Sequence, residues 1–444
     1  MHNLAIALCK KGYCVSGSDD EIFEPSRSRL QHYGLLPENE GWYPEKIDTT
    51  LDAVILGMHA RIDNPELLKA RELGLKIYSY PEYLYEQSKN KKRIVIAGSH
   101  GKTTITAMIL HVLQYHKVHC DYMVGAQLDG FDVMVKLTDD APYMIIEGDE
   151  YLTSPINRRP KFHLYKPHIA VVSGIAWDHI NVFPTFENYV EQFKIFIKQI
   201  AADGHLVYYK DDETLHSICA DMPLPKHVHP YTAPSFKVHN GTTYLKNAQQ
   251  QEIPLQIFGK HNLSNLKAAM MVCRILGVDE LAFMNAIRHF KGASKRLELV
   301  KKSPDGHFFK DFAHAPSKLK ASIDALRNQY PKHLLIACIE LHTFSSLNKN
   351  FLPLYNNTMT QADLACVYFN PATLAHKKLP EIDEALIKQS FGSKNIVVFN
   401  DSDKMKKYIM SKTTQRSQKI NVIMMSSGNF DGLVYEEIAD EIFN

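Results

Sequence analysis

Cysteine is scarce in this sequence and forms no paired motif. Seven cysteines occur in 444 residues, and no two of them make a C-x-x-C pair. An odd, scattered set excludes a disulfide framework and a structural zinc site, and it is typical of proteins from a reducing compartment. We therefore expect a cytoplasmic protein.

Two further absences narrow the class of protein. No apolar run approaches the roughly 18 residues of a membrane span, and the opening MHNLAIALCKKGYC lacks the charged start of a secretory signal. The 51 basic and 49 acidic residues leave a formal net charge of +2. This near balance gives no reason to expect nucleic acid or an anionic membrane as a partner.

What is present is the composition of a large globular protein. The chain is 45% hydrophobic and 23% charged, and it is too long for a single core. Short apolar strands alternate with helical segments, which is typical of α/β domains with parallel sheets. We predict an α/β fold of three domains: a Rossmann-like domain without its first strand (residues 1–88), a central P-loop parallel-sheet domain (89–296) and a C-terminal Rossmann-like domain (297–444). A polar connector, Pro81 to Lys92, marks the first boundary.

The sequence RIVIAGSHGKTT, from Arg93 to Thr104, predicts a phosphate-binding turn. Ile94 to Ala97 form a buried strand, and apolar spacing predicts a helix from Thr104 to Tyr115. Backbone N–H groups at the start of such a helix face an anion, Lys102 reaches the outer phosphates and Thr103 holds Mg²⁺. The residues of the turn are Gly98, Ser99, His100, Gly101, Lys102, Thr103 and Thr104.

One position departs from the full P-loop pattern, which has a glycine where this chain has Ile96. The alternative interpretation is an ordinary glycine turn before a helix. Gly-Lys-Thr-Thr stands where the phosphate mechanism needs it, so we expect ATP as a ligand.

Two later strands also end in polar side chains. MIIEGDEY, Met144 to Tyr151, ends in three acids, of which Glu147 is the expected Mg²⁺ ligand and Asp149 and Glu150 are supporting or substrate contacts. A solvated acidic turn is the alternative. The strand in IAVVSGIAWDHI ends at Asp178 and His179, and an imidazole there can serve a second metal. Most of the 22 histidines are better explained as structural.

The first predicted domain contains a weaker indication of a nucleotide-binding residue. A strand at Tyr13 to Ser16 leads to Asp19, and an acid at this place in a dinucleotide-type fold commonly meets a ribose hydroxyl. A plain solvated turn explains Asp19 equally well.

The motifs GSHGKTT, EGDEY, WDH, GKHNLSNLKAA and KDFAHAP occur in the order and spacing of the Mur ligases, and the chain resembles that family over nearly its whole length. The resemblance implies an ATP-dependent, amide-forming enzyme of cell-wall precursor synthesis. It also implies a UDP-sugar-binding domain, a P-loop ATPase domain and a C-terminal domain that closes over the nucleotide. We expect a monomer or a weak dimer.

The resemblance assigns roles to individual residues. Lys102 and Thr103 match the phosphate and first-magnesium residues, and Glu147 and His179 match the second-magnesium ligands. The remaining matches are His261, Asn262 and Asn265 on the adenine side, Arg296 near the γ-phosphate, Asp311 on the ribose, and Lys194, which several relatives carry in carbamoylated form. By itself Lys194 is an ordinary lysine on a helix surface.

Within the family, the stretch EGDEYLTSPINRRPKFHLYKP resembles the murein peptide ligase branch, which attaches a recycled tripeptide to UDP-N-acetylmuramate. Arg158, Arg159 and Lys161 in this stretch can meet the negative charge of a sugar nucleotide or peptide. The alanine-adding branch is the nearest relative and the alternative, although its local patterns differ around the acidic strand end and after WDH. ELHTFSSLNKNF and SSGNFDG depart from the better-known versions of both branches, so the sequence leaves both acceptors open.

The implied reaction is ligation through an acyl phosphate. The muramyl carboxylate attacks the γ-phosphorus of ATP, and the amine of the acceptor then displaces phosphate. One alternative is folyl-polyglutamate synthesis, which residues 1–88 argue against. The other is a UDP-sugar-binding protein without ligase activity, which the intact motifs argue against.

The beginning of the chain reads as the interior of a first helix. A strand and a glycine turn, which help to hold a pyrophosphate in this type of fold, are missing before it. We predict that the natural reading frame begins about 15 to 20 residues upstream of Met1, the length of one strand with its turn and helix start.

Overall fold

The computed structural model describes residues 1–128, 130–392, 395–414 and 418–444. These residues form two compact units, which are described one at a time. The first contains residues 1–175 and 187–231, and the second contains residues 176–186 and 232–444. None of the helices in the described ranges is both long enough and apolar enough to cross a bilayer. The mixed α/β class is confirmed, and the finer division into three domains stays a prediction.

The first unit is built around the predicted P-loop strand. Its elements are α1 (His2–Lys10), α2 (Ser26–His32), β1 (Val54–Leu56), α3 (Pro65–Glu72), β2 (Ile77–Ser79), α4 (Tyr80–Ser88), β3 (Lys92–Ala97), α5 (Lys102–Tyr115), β4 (Cys120–Met123), β5 (Val135–Lys136), β6 (Tyr143–Glu147), β7 (Ile169–Val172), α6 (Phe186–Lys198), β8 (His205–Tyr209), α7 (Glu213–Asp221) and β9 (His227–Tyr231).

Seven of these strands form one sheet in the order β5-β4-β6-β3-β7-β8-β9, in which only β5 runs antiparallel to its neighbour. Strand β3 lies at the centre, and its residues Ile94 to Ala97 have no exposed surface. A strand covered on both faces needs a continuous apolar run, which is what the sequence supplies. Ile96 pairs with Glu147 on β6, so the carboxyl ends of these two strands lie side by side.

Two predictions in the first 92 residues are wrong. Residues 13–16 are not a strand: Tyr13 and Cys14 are exposed and pair with no strand in the described ranges, and the Tyr13 N–H instead donates to the Leu8 carbonyl in α1 at 3.0 Å. The supposed connector from Pro81 to Lys92 is largely helix α4. Ser79 and Glu82 form a reciprocal capping box at its start, and Leu84 is fully buried.

The second unit holds two sheets. Its elements are β10 (Phe236–His239), β11 (Thr242–Lys246), β12 (Glu252–Leu255), α8 (Lys260–Ile275), α9 (Glu280–Ile287), β13 (Glu298–Ser303), β14 (Gly306–Asp311), α10 (Pro316–Gln329), β15 (Leu334–Leu341), β16 (Leu364–Phe369), α11 (Pro371–His376), α12 (Glu384–Phe391), β17 (Ile396–Phe399), α13 (Ser402–Thr413), β18 (Ile420–Met425) and α14 (Tyr435–Phe443).

The larger sheet has the order β13-β14-β18-β15-β16-β17, and all its strands except β13 are parallel. Apolar clusters cover both of its faces, with Leu326 and Ile387 on one side and Met405 and Ile438 on the other. The sequence predicts four strands in this region, and β15 to β18 confirm them; the predicted ranges are Leu334 to Ile339, Leu364 to Phe369, Ile396 to Phe399 and Val422 to Met425. Strands β10, β11 and β12 form a separate antiparallel sheet, which the sequence analysis did not predict.

Candidate functional site

The turn between β3 and α5 needs glycine at two positions. Gly98 has φ +121°, and a Cβ atom there would lie 2.2 Å from Ser173 Oγ and 2.7 Å from the Ser173 backbone nitrogen. Gly101, with φ +75°, precedes the first residue of α5. The end of β7 packs against this turn, because the Ser99 N–H donates to the Gly174 carbonyl at 3.0 Å. Only a residue without Cβ fits at Gly98.

Helix α5 starts immediately after the turn, at Lys102. The first N–H groups of a helix have no partner within the helix and carry the positive end of its dipole. Thr103 and Thr104 lie in this first turn and are buried. The arrangement is suited to holding a phosphate.

Lys102 makes an ion pair with Glu150. Its Nζ lies 2.6 Å from Glu150 Oε2 and donates to the Gly98 carbonyl at 2.8 Å. Burial lowers the pKa of Lys102, but the charges of Glu150 and Asp149 outweigh it, and the pKa lies above its ordinary value. The lysine is therefore a fixed positive charge at the glycine turn.

Thr103 and Glu147 supply oxygen atoms that suit Mg²⁺. The Thr103 hydroxyl donates to Glu147 Oε1 at 2.7 Å, and the Gly125 N–H donates to Glu147 Oε2 at 2.9 Å. No group of three or more His, Cys, Asp or Glu side chains within the described ranges converges as a metal site. Mg²⁺ commonly takes only one or two carboxylates and completes its shell with phosphate and water, so the pair fits that ion.

The other acids of the strand end have different partners. Asp149 pairs with Lys161 at 2.6 Å, whereas Glu150 is buried against Lys102. We predict from the sequence that these two acids are supporting or substrate contacts, and the structure places them in two separate ion pairs. Asp149 thereby connects to the stretch that contains the predicted substrate residues.

Tyr189 on α6 reaches the same place and was missed from the sequence. Its hydroxyl donates to Glu150 Oε1 at 3.1 Å and lies 2.8 Å from Ser99 Oγ. The side chain has no exposed surface, and its ring packs edge-on against Phe193 at 5.2 Å. A tyrosine in an apolar helical stripe reads as a core residue, and no sequence signal distinguishes this one.

The predicted substrate residues lie on the surface of the first unit. Arg158 and Arg159 are exposed, and Arg159 Nε donates to Asn157 Oδ1 at 3.1 Å. Asp19 makes an isolated bridge with Gly41. Burial and the neighbouring Asp20 raise the pKa of Asp19.

The structure places Lys194 away from the Lys102–Glu150 pair. Lys194 follows Tyr189 by five positions on α6, a rotation of about 140°, and its Nζ lies 3.9 Å from Glu191. With Lys198 it lines a cavity of about 630 Å³ between α6 and α7. Its proposed carbamoylation stays a prediction.

In the second unit, the predicted adenine and ribose residues approach each other. Gly259, before α8, has φ +89°, and a Cβ there would lie 2.5 Å from Ala325 Cβ. Burial lowers the pKa of His261, and the charge of Asp311 opposes that shift. Asp311 also accepts a hydrogen bond from the Ser322 hydroxyl.

The remaining members of this set occupy different places. Asn262 Nδ2 donates to the Phe258 carbonyl at 3.0 Å, and Asn265 is buried in α8. The Arg296 guanidinium stacks on Phe312 at 4.6 Å from the ring centre. Cation–π stacking fixes the guanidinium, and its Nη1 also donates to the Lys295 carbonyl at 3.1 Å.

Asp178 and His179 lie in the segment 176–186, which belongs to the second unit. Asp178 is buried, 3.5 Å from Lys318 Nζ and 3.8 Å from His314 Nε2. Burial raises the pKa of Asp178, but Lys318 and His314 outweigh it and hold the pKa well below its usual range. His179 has φ +55°, a left-handed conformation that non-glycine residues seldom adopt outside constrained sites.

Comparison with known proteins identifies a family that includes the region of the glycine turn. The sequence model of one protein family, described as the Mur ligase middle domain, matches residues 96–273. The UDP-N-acetylmuramate–L-alanine ligase of Limosilactobacillus reuteri is 31% identical over 362 residues, which cover 78% of this chain and 77% of that protein.

Two solved structures are similar over almost the whole chain. A murein peptide ligase from Psychrobacter arcticus has a TM-score of 0.64 at 22% identity and covers 100% of this chain and 96% of its own. A UDP-N-acetylmuramate–alanine ligase from Thermotoga maritima has a TM-score of 0.69 at 18% identity, with coverages of 99% and 95%. At these identities the two structures show a shared fold.

Proposed function

Because the chain belongs to the Mur ligase family, whose members are ATP-dependent ligases that form amide bonds, we propose that it joins UDP-N-acetylmuramate to the tripeptide L-Ala-γ-D-Glu-meso-diaminopimelate. The reaction serves peptidoglycan recycling in the cytoplasm, and the enzyme acts as a monomer or weak dimer. The observation that carries the ligase chemistry is the convergence of Lys102, Thr103, Glu147 and Glu150 on one glycine turn.

The first step is transfer of the γ-phosphoryl group to the muramyl carboxylate. The N–H groups at the start of α5 hold the phosphates, and Lys102 neutralises the charge that grows on the transferred group. The amine of the acceptor then attacks the acyl phosphate, which forms the amide and releases phosphate. ADP and phosphate are the remaining products.

Thr103 and Glu147 are the proposed residues for Mg²⁺, and the role of His179 as a metal ligand stays a prediction. The ion supplies Lewis-acid stabilisation of phosphate charge when it is bound. Asp311 and His261, with Asn262, Asn265 and Arg296, bind the nucleoside part and the γ-phosphate. Asp19, Arg158 and Arg159 contact the sugar nucleotide or the peptide.

Glu147→Gln tests the magnesium assignment. The amide keeps the size of the side chain but removes its charge, so we expect the Mg²⁺ concentration at half-maximal activity to rise about 10- to 100-fold. Phosphate release measured across a magnesium titration gives this number. Asp149→Asn, which alters an acid paired with Lys161, is the comparison variant and is expected to shift the titration much less. A curve for Glu147→Gln that overlays the wild type would remove Glu147 from the metal site.

The choice of acceptor rests on the sequence from Tyr151 to Lys166. This stretch resembles the murein peptide ligases and contains the exposed Arg158 and Arg159, which suit the carboxylates of a peptide. The alanine-adding reaction is the second candidate, because the relative described above with 31% identity carries that name.

Phosphate release with purified acceptors separates the two candidates. With ATP, Mg²⁺ and UDP-N-acetylmuramate present, we expect kcat/KM for the tripeptide to exceed that for free L-alanine by about tenfold or more, because only the tripeptide can engage additional charged contacts. Reactions without any acceptor set the background. Turnover with L-alanine combined with indifference to the tripeptide would identify the alanine-adding reaction instead.

A further inference from the structure

Four side chains next to the glycine turn form one continuous buried chain of polar contacts. Lys102 pairs with one oxygen of Glu150 at 2.6 Å, and Tyr189 donates to the other oxygen at 3.1 Å. Since the single proton of Tyr189 goes to Glu150, its oxygen accepts from the Ser99 hydroxyl at 2.8 Å. Glu150, Tyr189 and Ser99 are each at most 2% exposed.

Two anions compete for Lys102: the carboxylate of Glu150 and the phosphates of ATP. The proposed ATP role requires its ammonium group to approach the phosphates, whereas in the structure the same group pairs with Glu150. A buried carboxylate that loses its cation is strongly destabilised unless other donors remain on it. ATP binding must therefore overcome the cost of leaving Glu150 without its salt bridge.

We propose that the Tyr189 hydroxyl is a positioning group that holds Glu150 when Lys102 moves to the phosphates of ATP. A hydrogen bond to an ionised carboxylate is stronger than one between neutral groups, and more so in a buried site. The hydroxyl lowers the cost of the transfer and keeps Glu150 directed away from the incoming phosphates. This inference rests on the proposed ATP role of Lys102.

The competing explanation is that Tyr189 serves only as a core aromatic. Its ring packs against Phe193, which in turn packs edge-on against Phe162 at 5.4 Å. Replacement by phenylalanine keeps these ring contacts and removes only the hydroxyl. Tyr165 offers a matched control, because it is equally buried and its hydroxyl has no hydrogen-bond partner among the residues that the structure describes.

The test is equilibrium binding of the non-hydrolysable ATP analogue AMP-PNP with Mg²⁺, measured by calorimetry on the full chain. We expect Tyr189→Phe to bind about tenfold more weakly than the wild type, the effect of losing a hydrogen bond to a charged group. Tyr165→Phe should bind within about twofold of the wild type, because its hydroxyl makes no bond to lose. In turnover assays the KM for ATP should rise while kcat stays nearly unchanged.

Repeating the Tyr189→Phe substitution in a Glu150→Gln protein distinguishes a positioning role of the Tyr189 hydroxyl from a packing role of its ring. Glu150→Gln removes the charge that Tyr189 stabilises, so adding Tyr189→Phe to it should weaken binding by no more than about twofold. An equal loss in both backgrounds, wild-type affinity in Tyr189→Phe, or failure of Tyr189→Phe to fold would each overturn the inference while leaving the ATP role intact. A wild-type protein that does not bind AMP-PNP would overturn the ATP role itself, and this inference with it.

Discussion

Lys102→Ala is expected to abolish turnover, with kcat/KM falling about 1000-fold or more because the proposed phosphate site loses the ammonium group of Lys102. The structure adds a second expected effect. Glu150 is buried and paired with Lys102, so the variant also leaves a carboxylate without its cation. Breaking a buried pair from one side typically costs about 3 to 5 kcal/mol of unfolding free energy.

The double variant Lys102→Ala/Glu150→Gln separates these two effects. Removing the charge of Glu150 should restore most of the unfolding free energy, measured by urea denaturation, while turnover stays absent. Phosphate release at saturating Mg²⁺ and UDP-N-acetylmuramate supplies the activity measurement. Activity recovered together with stability would show that Lys102 acts through the fold and not on the phosphates.

Gly98→Ala is expected to eliminate nucleotide binding. Its Cβ would lie 2.2 Å from Ser173 Oγ and 2.7 Å from the Ser173 nitrogen, at φ +121°. The second contact is with backbone, which cannot rotate away, so the turn must open at the place where the phosphates are proposed to lie. We expect a loss of about 3 kcal/mol in unfolding free energy and no measurable binding of an ATP analogue.

Gly12→Ala is the control for Gly98→Ala. Gly12 also has a positive φ, +94°, but an added Cβ would meet no atom within 4 Å. This variant carries the backbone strain without the clash, so it should lower the unfolding free energy by only about 1 kcal/mol and leave nucleotide binding unchanged. Equal behaviour of the two variants would mean that the contact with Ser173 has no functional importance.

The phosphate turn was predictable because all of its chemistry is local. Strand β3, the turn and helix α5 are consecutive in the chain, and the predicted boundaries differ from the observed ones by two residues at either start. Glu147 could be placed beside this turn because the carboxyl ends of parallel strands share one edge of a sheet. The structure brings Glu147 to Thr103 by that rule.

Contacts between separate elements were not predictable in the same way. The Lys102–Glu150 pair joins residues 48 positions apart, and Tyr189 lies a further 39 positions along the chain. The sequence does not show which side chains of separate elements come into contact, and a tyrosine in an apolar stripe predicts only burial. The role of Asp178 as a partner of Lys318 was hidden for the same reason.

Two elements that were not predicted, helix α4 and the β10–β11 hairpin, do have recognisable local sequence motifs. Ser79 and Glu82 have the spacing of a capping box, which marks the start of α4 inside the supposed connector. Asn240 and Gly241 form a two-residue turn with φ values of +50° and +72° between β10 and β11. An Asn-Gly pair between strand-like segments is a strong hairpin signal, so this hairpin was predictable from the sequence.

The packing of Ser173 against Gly98 has a consequence for the order in which the protein folds during synthesis. Strand β3 pairs with β6 and β7, and residues from about 50 to about 75 positions downstream complete its hydrogen bonds. The glycine turn leaves the ribosome well before β7, the strand whose end packs against it. A nascent chain that ends before β7 therefore contains the phosphate motif but lacks the strand that supports it. We therefore expect bound nucleotide to stabilise the chain only after β7 has docked beside β3.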